Sequence, residues 1–181
     1  MNKLLVIDLD QTIIDSSMRE NLCYHNGTLC LETYRNIKQC AFNGIINDCL
    51  TPFGEWLKVS YYGLLEKGYT LVFLTARLCD KQDYTSFKKL GIDSMLLDHC
   101  LLIDRGIAPL YGGDSSEQDS GLYKKAVIQC LQSEYNYNDG DIIIVVDDCI
   151  KVLEMAKGQG FKAICARELY HYSQDDFDAL F

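Results

Sequence analysis

The stretch "LLVIDLDQT" (residues 4–12) decides the fold of this 181-residue chain. Its first four residues are apolar without alternation, which is typical of a parallel strand buried on both faces. Two acids follow directly, Asp8 and Asp10, and Thr12 comes two residues later. Ligands of open α/β sheets bind at the carboxyl ends of the strands. A buried strand that ends in two carboxylates therefore predicts a functional site at this edge of a sheet.

The rest of the chain alternates between strand and helix patterns. Apolar runs predict further strands at 69–74, 141–146 and 162–165, and a weaker one near 95–102. Helical spacing predicts helices over 52–68, 79–90, 121–135 and 150–157, the first with Thr51 as its N-cap. Such alternation predicts an α/β fold, a three-layer, Rossmann-like parallel sheet with helices on both faces.

One segment does not follow this alternation. Residues 15–50 separate the first strand from the first clear core helix. They are too few for an independent domain, so we expect a small flap or cap insertion. The length fits one domain, and we expect residues 1–181 to form a single domain that includes this insertion.

Charge and composition exclude several classes of protein. The formal net charge of −9 argues against an extended nucleic-acid interface. No apolar run approaches the roughly 18 residues of a membrane span. The nine cysteines contain no Cys-x-x-Cys motif, which argues against a zinc knuckle. With no signal-peptide pattern, we expect reduced thiols and a cytoplasmic location. The sequence predicts no oligomeric state.

Polar residues follow three of the predicted strands. Asp8 and Asp10 follow the first, Thr75 the second, and Asp147 and Asp148 the third. A parallel sheet brings such strand ends together. Clustered carboxylates repel one another unless a cation neutralises them, and oxygen ligands favour Mg²⁺. A carboxylate beside such an ion can attack a phosphoryl group, while a second carboxylate moves the proton.

These motifs, in this order, resemble the haloacid dehalogenase superfamily of phosphotransferases. The resemblance spans most of the chain and implies that Asp8 is the nucleophile. It further implies that Asp10 is the general acid/base and that Thr12 braces the loop and lies at the substrate. The acid at position 10 favours phosphomonoester hydrolysis over carbon–halogen chemistry.

The same resemblance implies the rest of the site. Thr75 would hydrogen-bond the phosphoryl group, and Asp148 would be a metal ligand or would support one. The implied cofactor is Mg²⁺, and the implied ligands are Asp8, the Asp10 backbone carbonyl, Asp147 and Asp148.

The superfamily also has a phosphate-binding lysine near the start of the helix before the third motif strand. The segment "GLYKKAVIQ" (residues 121–129) offers Lys124 and Lys125. We favour Lys124 as the catalytic lysine and keep Lys125 as the alternative substrate contact. Their register against Leu122 and Ala126 leaves both open.

Two further segments indicate a smaller group within the superfamily. They are "VFLTAR" (72–77) and "VVDDCIKVLEMAKGQGFKAI" (145–164). They are similar to small, nearly capless phage and bacterial nucleotide phosphatases and to the phosphatase domain of polynucleotide kinase. This similarity implies that Arg77 contacts the substrate, although a surface salt bridge explains an arginine there equally well.

The function implied is a Mg²⁺-dependent phosphomonoester hydrolase that forms an aspartyl-phosphate. Its expected substrate is a nucleotide or the terminal phosphate of a nucleic acid. Small sugar or protein phosphates are alternative substrates. A receiver-like or catalytically silent module that binds phosphate and Mg²⁺ is an alternative function, which the order of the acidic motifs argues against.

Overall fold

We describe the protein from a computed structural model, which covers residues 2–25, 28–30, 33, 48–138 and 140–181. The strands are β1 (Lys3–Ile7), β2 (Ile14–Asp15), β3 (Tyr24–His25), β4 (Thr28–Leu29), β5 (Cys49–Leu50), β6 (Tyr69–Leu74), β7 (Leu101–Ile103), β8 (Ile142–Asp147) and β9 (Lys162–Cys165). The helices are α1 (Ser17–Cys23), α2 (Pro52–Glu66), α3 (Lys81–Leu90), α4 (Ser120–Glu134), α5 (Ile150–Gly158) and α6 (Gln174–Leu180). Shorter helical turns lie at Met95–His99, Ala108–Tyr111 and Ala166–His171.

Five strands form the central sheet, in the order β7-β6-β1-β8-β9. Every pairing in it is parallel, which confirms the predicted α/β fold. The weak strand expected near 95–102 was placed too early. A helical turn occupies Met95–His99, and only Leu101–Ile103 pairs with β6.

Alternate residues of β1 enter opposite layers of the core. Leu5 and Ile7 pack with buried residues of α2, α3 and α6 on one face of the sheet. Leu4 and Val6 pack with buried residues of α4 and α5 on the other. Because side chains alternate along a strand, a continuous apolar run is needed to fill both layers. This arrangement explains the apolar start of the chain.

The start of α2 follows the sequence expectation closely. The Thr51 hydroxyl accepts a hydrogen bond from the Gly54 amide, and Pro52 is the first helical residue. The Thr51 hydroxyl also donates to the Thr12 carbonyl at 2.6 Å. The N-terminus of α2 is thereby attached to the loop that follows β1.

The expected insertion at 15–50 is described only in part. Ile14–Asp15 pairs antiparallel with Cys49–Leu50, so the two ends of the insertion lie together. Between them the structure describes α1 and the short β3–β4 pair. Residues 31–32 and 34–47 lie outside the described residues.

Two further expectations concern the whole chain. Across the described ranges, no helix has the length and apolar character needed to cross a membrane. The eight cysteines within those ranges are all free thiols.

Candidate active site

The register of the sheet sets the position of the acidic residues. Ile7 pairs with Phe73 on one side and with Val146 on the other. Asp8, the next residue, is therefore level with Asp147, and its amide donates to the Val146 carbonyl at 3.0 Å. Thr75 follows β6 at the same edge and is buried. Residues distant in sequence thus meet at the carboxyl edge, as predicted.

Three carboxylates form a compact cluster there. Asp8, Asp147 and Asp148 each offer an oxygen, and these oxygens lie within 4.8 Å of one another. The ammonium of Lys124 lies 2.5 Å from Asp8 Oδ1 and 2.6 Å from Asp147 Oδ2. One ammonium cannot neutralise three ionised carboxylates, and an all-oxygen donor set suits a hard divalent cation. The residues therefore fit a metal ion of the Mg²⁺ type.

Burial shapes the protonation of this cluster. It raises the pKa of Asp8 to about 8, a shift that Lys124 opposes and the charge of Asp147 increases. Burial acts to lower the pKa of Lys124, but Asp147 and Asp8 together raise it above its ordinary value. Burial and the neighbouring Asp147 also raise the pKa of Asp148. A cation bound here would favour the ionised form of all three carboxylates.

The loop after β1, which carries Asp10, forms a tight turn. Gln11 adopts a left-handed conformation with a φ of 58°. The amides of Ile13 and Ile14 both donate to the Leu9 carbonyl at 3.0 Å. Gly54 of α2 packs so close to this loop that an added Cβ would collide with the Ile13 carbonyl oxygen. The loop is therefore held by β1 at one end and by α2 along its side.

Asp10 lies outside the carboxylate cluster and contacts two arginines instead. Its Oδ1 lies 3.0 Å from Arg19 Nη2, and its Oδ2 lies 3.2 Å from Arg77 Nε. Burial acts to raise the pKa of Asp10, but Arg77 and Arg19 outweigh it and lower the pKa below its ordinary value. In this arrangement Asp10 is a carboxylate.

Each arginine is in turn fixed by a second acid. Arg19 Nη2 donates to Asp48 Oδ2 at 2.9 Å, so α1 and the end of the insertion both contribute to this contact. Arg77 Nη1 lies 3.3 Å from Asp83 Oδ1, at the start of α3. We call Arg19, Asp10 and Arg77 the arginine clamp.

The clamp answers the question that the sequence left open for Arg77. Its side chain is only 13% exposed and points at Asp10, so it is not a surface salt bridge. Its amide also lies 3.4 Å from the Thr75 hydroxyl.

The two candidate lysines occupy different environments. Lys124 is 3% exposed and reaches both Asp8 and Asp147. Lys125 is half-buried, and the described residues offer it no hydrogen bond or ion pair. Lys124 shares its helix face with Val127, Ile128 and Leu131, all fully buried. That spacing of three, four and seven residues was the signal that could have separated the two lysines.

Thr12 is a buried residue of the loop after β1, and its hydroxyl group makes no hydrogen bond to the described residues. Its carbonyl accepts a hydrogen bond from Thr51. Buried hydroxyls are normally paired. Thr12 therefore fits a bracing position and retains a hydroxyl that a bound group could use.

Sequence reasoning missed Asp48 and Asp83; it offered Arg19 as a basic residue near the site but did not predict its contact with Asp10. Arg19 is 2% exposed, which is unusual for an arginine, but no sequence pattern around it predicts this burial.

A further acid at the carboxyl edge, Asp104, does not belong to the carboxylate cluster. It accepts hydrogen bonds from the amides of Cys79, Gly106 and Ile107, so its role is to close a turn.

A solved structure shares the fold of this chain. The chain is similar to a haloacid dehalogenase-like family hydrolase, SP0104 from Streptococcus pneumoniae, with 14% identity and a TM-score of 0.61 over 99% of this chain and 98% of that chain. Identity this low supports the shared fold alone. No curated protein matches the chain.

A family model covers nearly the whole sequence. The model described as bacteriophage T5 5'-deoxynucleotidase matches residues 1–174. Together with the fold, this match confirms the predicted resemblance to haloacid dehalogenase-type phosphatases and the prediction of an enzyme. The chain is a phosphatase-type hydrolase and belongs to the bacteriophage T5 5'-deoxynucleotidase family.

Proposed function

We propose that this enzyme hydrolyses the phosphomonoester of deoxynucleoside 5'-monophosphates, with Mg²⁺ and through an aspartyl-phosphate on Asp8. The observation that carries the proposal is the contact of Lys124 with both Asp8 and Asp147, beside Asp148. It supports the proposal because the residues proposed as nucleophile, phosphate-binding cation and metal ligands lie together. The family to which the chain belongs supports a nucleotide substrate and favours a 5'-mononucleotide over the end of a nucleic acid.

The carboxylates that would hold the ion are Asp8, Asp147 and Asp148, with the Asp10 backbone carbonyl as a further proposed ligand. When bound, Mg²⁺ would neutralise negative charge on the carboxylates and on the phosphoryl oxygens. The remaining chemistry belongs to the side chains of this chain.

The first step is phosphoryl transfer to Asp8. A carboxylate oxygen of Asp8 attacks phosphorus, the bond from phosphorus to the ester oxygen breaks, and the nucleoside oxygen takes a proton from Asp10. In the second step, a water molecule attacks the phosphorus of the aspartyl-phosphate while Asp10 accepts its proton. Inorganic phosphate then leaves and Asp8 is restored.

The arginine clamp bears on the first of these steps. A general acid must carry a proton, yet Arg19 and Arg77 favour the ionised form of Asp10. We propose that a phosphate group draws Arg77 away from Asp10, which raises the pKa of Asp10 and allows it to take up the proton. Asp10 gives up its proton in the first step, so it enters the second step as the carboxylate that can accept a proton from water.

Other side chains hold the phosphoryl oxygens. Lys124 and the Thr75 hydroxyl are proposed to donate to them as charge moves from the ester to the phosphoryl group. Thr12 is proposed to brace the loop with its backbone and to offer its buried hydroxyl. Lys125 remains a proposed outer contact for substrate.

Two broader features complete the proposal. Residues 1–181 are proposed to form one domain with the insertion at 15–50. A cytoplasmic location is also proposed, which the free state of the described cysteines supports.

A substrate panel tests the proposal. Purified enzyme would be assayed with 5'- and 3'-deoxynucleotides, ribonucleotides, sugar phosphates and oligonucleotides with phosphorylated ends, each with Mg²⁺ and with a chelator. We expect deoxynucleoside 5'-monophosphates to give the highest kcat/KM, only with Mg²⁺, and Asp8→Asn to be inactive. Preference for oligonucleotide ends or sugar phosphates would overturn the substrate assignment. Turnover by Asp8→Asn equal to wild type would overturn the mechanism.

A further inference from the structure

A cavity of about 280 Å³ opens beside the carboxylate cluster. Asp148 belongs to both, so a group bound in the cavity lies next to the phosphoryl site. Gln11, the neighbour of Asp10, also lines it. The volume is near the lower limit of about 300 Å³ for small-molecule pockets. The cavity therefore lies beside the proposed phosphoryl site, within reach of the rest of a bound phosphomonoester.

One wall of this cavity comes from the insertion and carries polar groups fixed in position. Gln11 Nε2 donates to the hydroxyl of Ser16 at 3.1 Å, and that hydroxyl donates to Glu20 Oε1 at 2.8 Å. Ser16 is fully buried, so it anchors both of its partners. Asn21 lines the same wall from the next position of α1. Amide and carboxylate groups of this kind recognise the polar edge of a ligand.

Two flat side chains also line this cavity. Arg167 and Tyr170, both from the helical turn Ala166–His171, line it. Arg167 Nη2 lies 3.3 Å from Asp148 Oδ2, which places the guanidinium at the end of the cavity nearest the cluster. Tyrosine rings and guanidinium planes are the groups on which nucleobases stack.

We propose that this cavity is the nucleoside subsite, in which Tyr170 stacks on the base while Glu20 and Asn21 contact its polar edge. The inference rests on the proposed function for the choice of a nucleotide, since it names the residues that recognise the part of the substrate beyond the phosphate. Flat side chains and hydrogen-bonding groups in one cavity fit a heteroaromatic ring with a polar edge. They fit a sugar phosphate poorly, because a sugar offers no flat face to Tyr170.

Tyr170→Ala tests the subsite, with Tyr170→Phe as the conservative variant. Glu168→Ala is the matched control, because Glu168 lies on the same helical turn, is exposed and does not line the cavity. Each variant would be assayed with a deoxynucleoside 5'-monophosphate and with 2-deoxyribose 5-phosphate, which lacks the base. Thermal unfolding would verify that all variants fold.

Loss of a stacking partner is expected to raise KM for the nucleotide about tenfold in Tyr170→Ala. We expect kcat to change little and the base-free substrate to be unaffected. Tyr170→Phe and Glu168→Ala should match wild type with both substrates. An equal loss with the base-free substrate, or no loss with the nucleotide, would overturn the subsite.

Binding of the product separates this inference from the proposed function. Calorimetry with a deoxynucleoside needs no catalysis. Wild-type binding that Tyr170→Ala weakens about tenfold supports the subsite even where the phosphatase assay fails. Equal binding by wild type and Tyr170→Ala would contradict the subsite even where nucleotides are hydrolysed.

Discussion

Arg19 Nη2 lies 3.0 Å from Asp10 Oδ1, and this contact joins the insertion to the loop that carries both proposed catalytic acids. Arg19 is almost completely buried and also contacts Asp48, near the far end of the insertion. The insertion therefore contributes a side chain to the candidate site. It supplies part of the charge that sets the ionisation of Asp10.

Arg19→Ala tests this role. Removing a buried partner leaves carboxylates without their counter-charge, so we expect the free energy of unfolding to fall by about 3 kcal/mol. We also expect the pKa of Asp10 to rise, because one of its two arginines is lost. Carbon NMR of the Asp10 carboxyl group in the metal-free enzyme would measure that pKa. Arg167→Ala is the control: it removes the partner of Asp148, and the pKa of Asp10 should stay unchanged. An Asp10 pKa that stays the same in Arg19→Ala would contradict the clamp.

The stability of the metal-free protein should depend on Asp8 in a particular direction. Its pKa is about 8 in the folded protein and has an ordinary value of 3.8. Between these two values the folded state binds the extra proton, so stability is greatest at low pH and falls as pH rises. Relative to Asp8→Asn, we expect wild type to lose about 2–3 kcal/mol between pH 5 and pH 7.5.

Urea unfolding in a chelator at both pH values measures this loss. The comparison with Asp8→Asn removes the contributions of other titrating groups, since they are common to both proteins. Saturating Mg²⁺ should reduce the difference, because a cation favours the ionised carboxylate. A wild type that gains stability over Asp8→Asn as pH rises would show that the sign is wrong.

Gly54 tests the packing of the active-site loop on α2. A Cβ at this position would collide with the Ile13 carbonyl, and backbone atoms cannot move aside cheaply. We expect Gly54→Ala to be destabilised by about 2 kcal/mol or more, and to lose activity because the loop carrying Asp10 must shift.

The matched control lies on the same helix. Gly63 is exposed, and nothing lies within 4 Å of an added Cβ. Gly63→Ala should therefore stabilise the protein by about 0.5–1 kcal/mol through helix propensity and keep full activity. Chemical denaturation and steady-state assays of the pair measure both effects. Similar stabilities for the two variants would refute the close approach of Gly54.

Lys124 and Lys125 form a second matched pair. Lys124→Ala removes the cation that contacts Asp8 and Asp147, and we expect kcat to fall by about 10²–10³. Lys125→Ala should keep kcat within about twofold, because Lys125 is half-buried outside the carboxylate cluster and contributes at most an outer contact. Steady-state kinetics with a saturating 5'-deoxynucleotide would compare them. A larger loss of kcat in Lys125→Ala than in Lys124→Ala would show that Lys125 is the catalytic lysine.

Much of the fold was predictable because a strand buried on both faces of a parallel sheet has a continuous apolar sequence. The apolar runs ending at Asp8 and Asp147 located two strands and the acids beyond them. The bounds of the strand Leu101–Ile103 were harder to predict, because it is only three residues long and follows a helical turn. Short edge strands bury too few residues to show a pattern.

The sequence predicted those residues of the candidate site that lie at or just after the end of a strand, such as Asp8, Thr75 and Asp147. Arg19 lies within a short helix of the insertion, and its contact with Asp10 depends on how that helix packs. No local pattern encodes such a contact. Tyr170 likewise reaches the cavity only because the chain turns back after β9. Long-range packing of this kind is a property of the tertiary structure.

The most direct test of the account is to trap the phosphorylated enzyme. Enzyme mixed with a deoxynucleoside 5'-monophosphate that carries radiolabelled phosphate, with Mg²⁺, would be quenched in acid after a few milliseconds and its peptides mapped. We predict label on the peptide containing Asp8, its release by hydroxylamine as expected of an acyl phosphate, and no label in Asp8→Asn. Rapid turnover with no label on Asp8, or label that persists in Asp8→Asn, would contradict the aspartyl-phosphate mechanism.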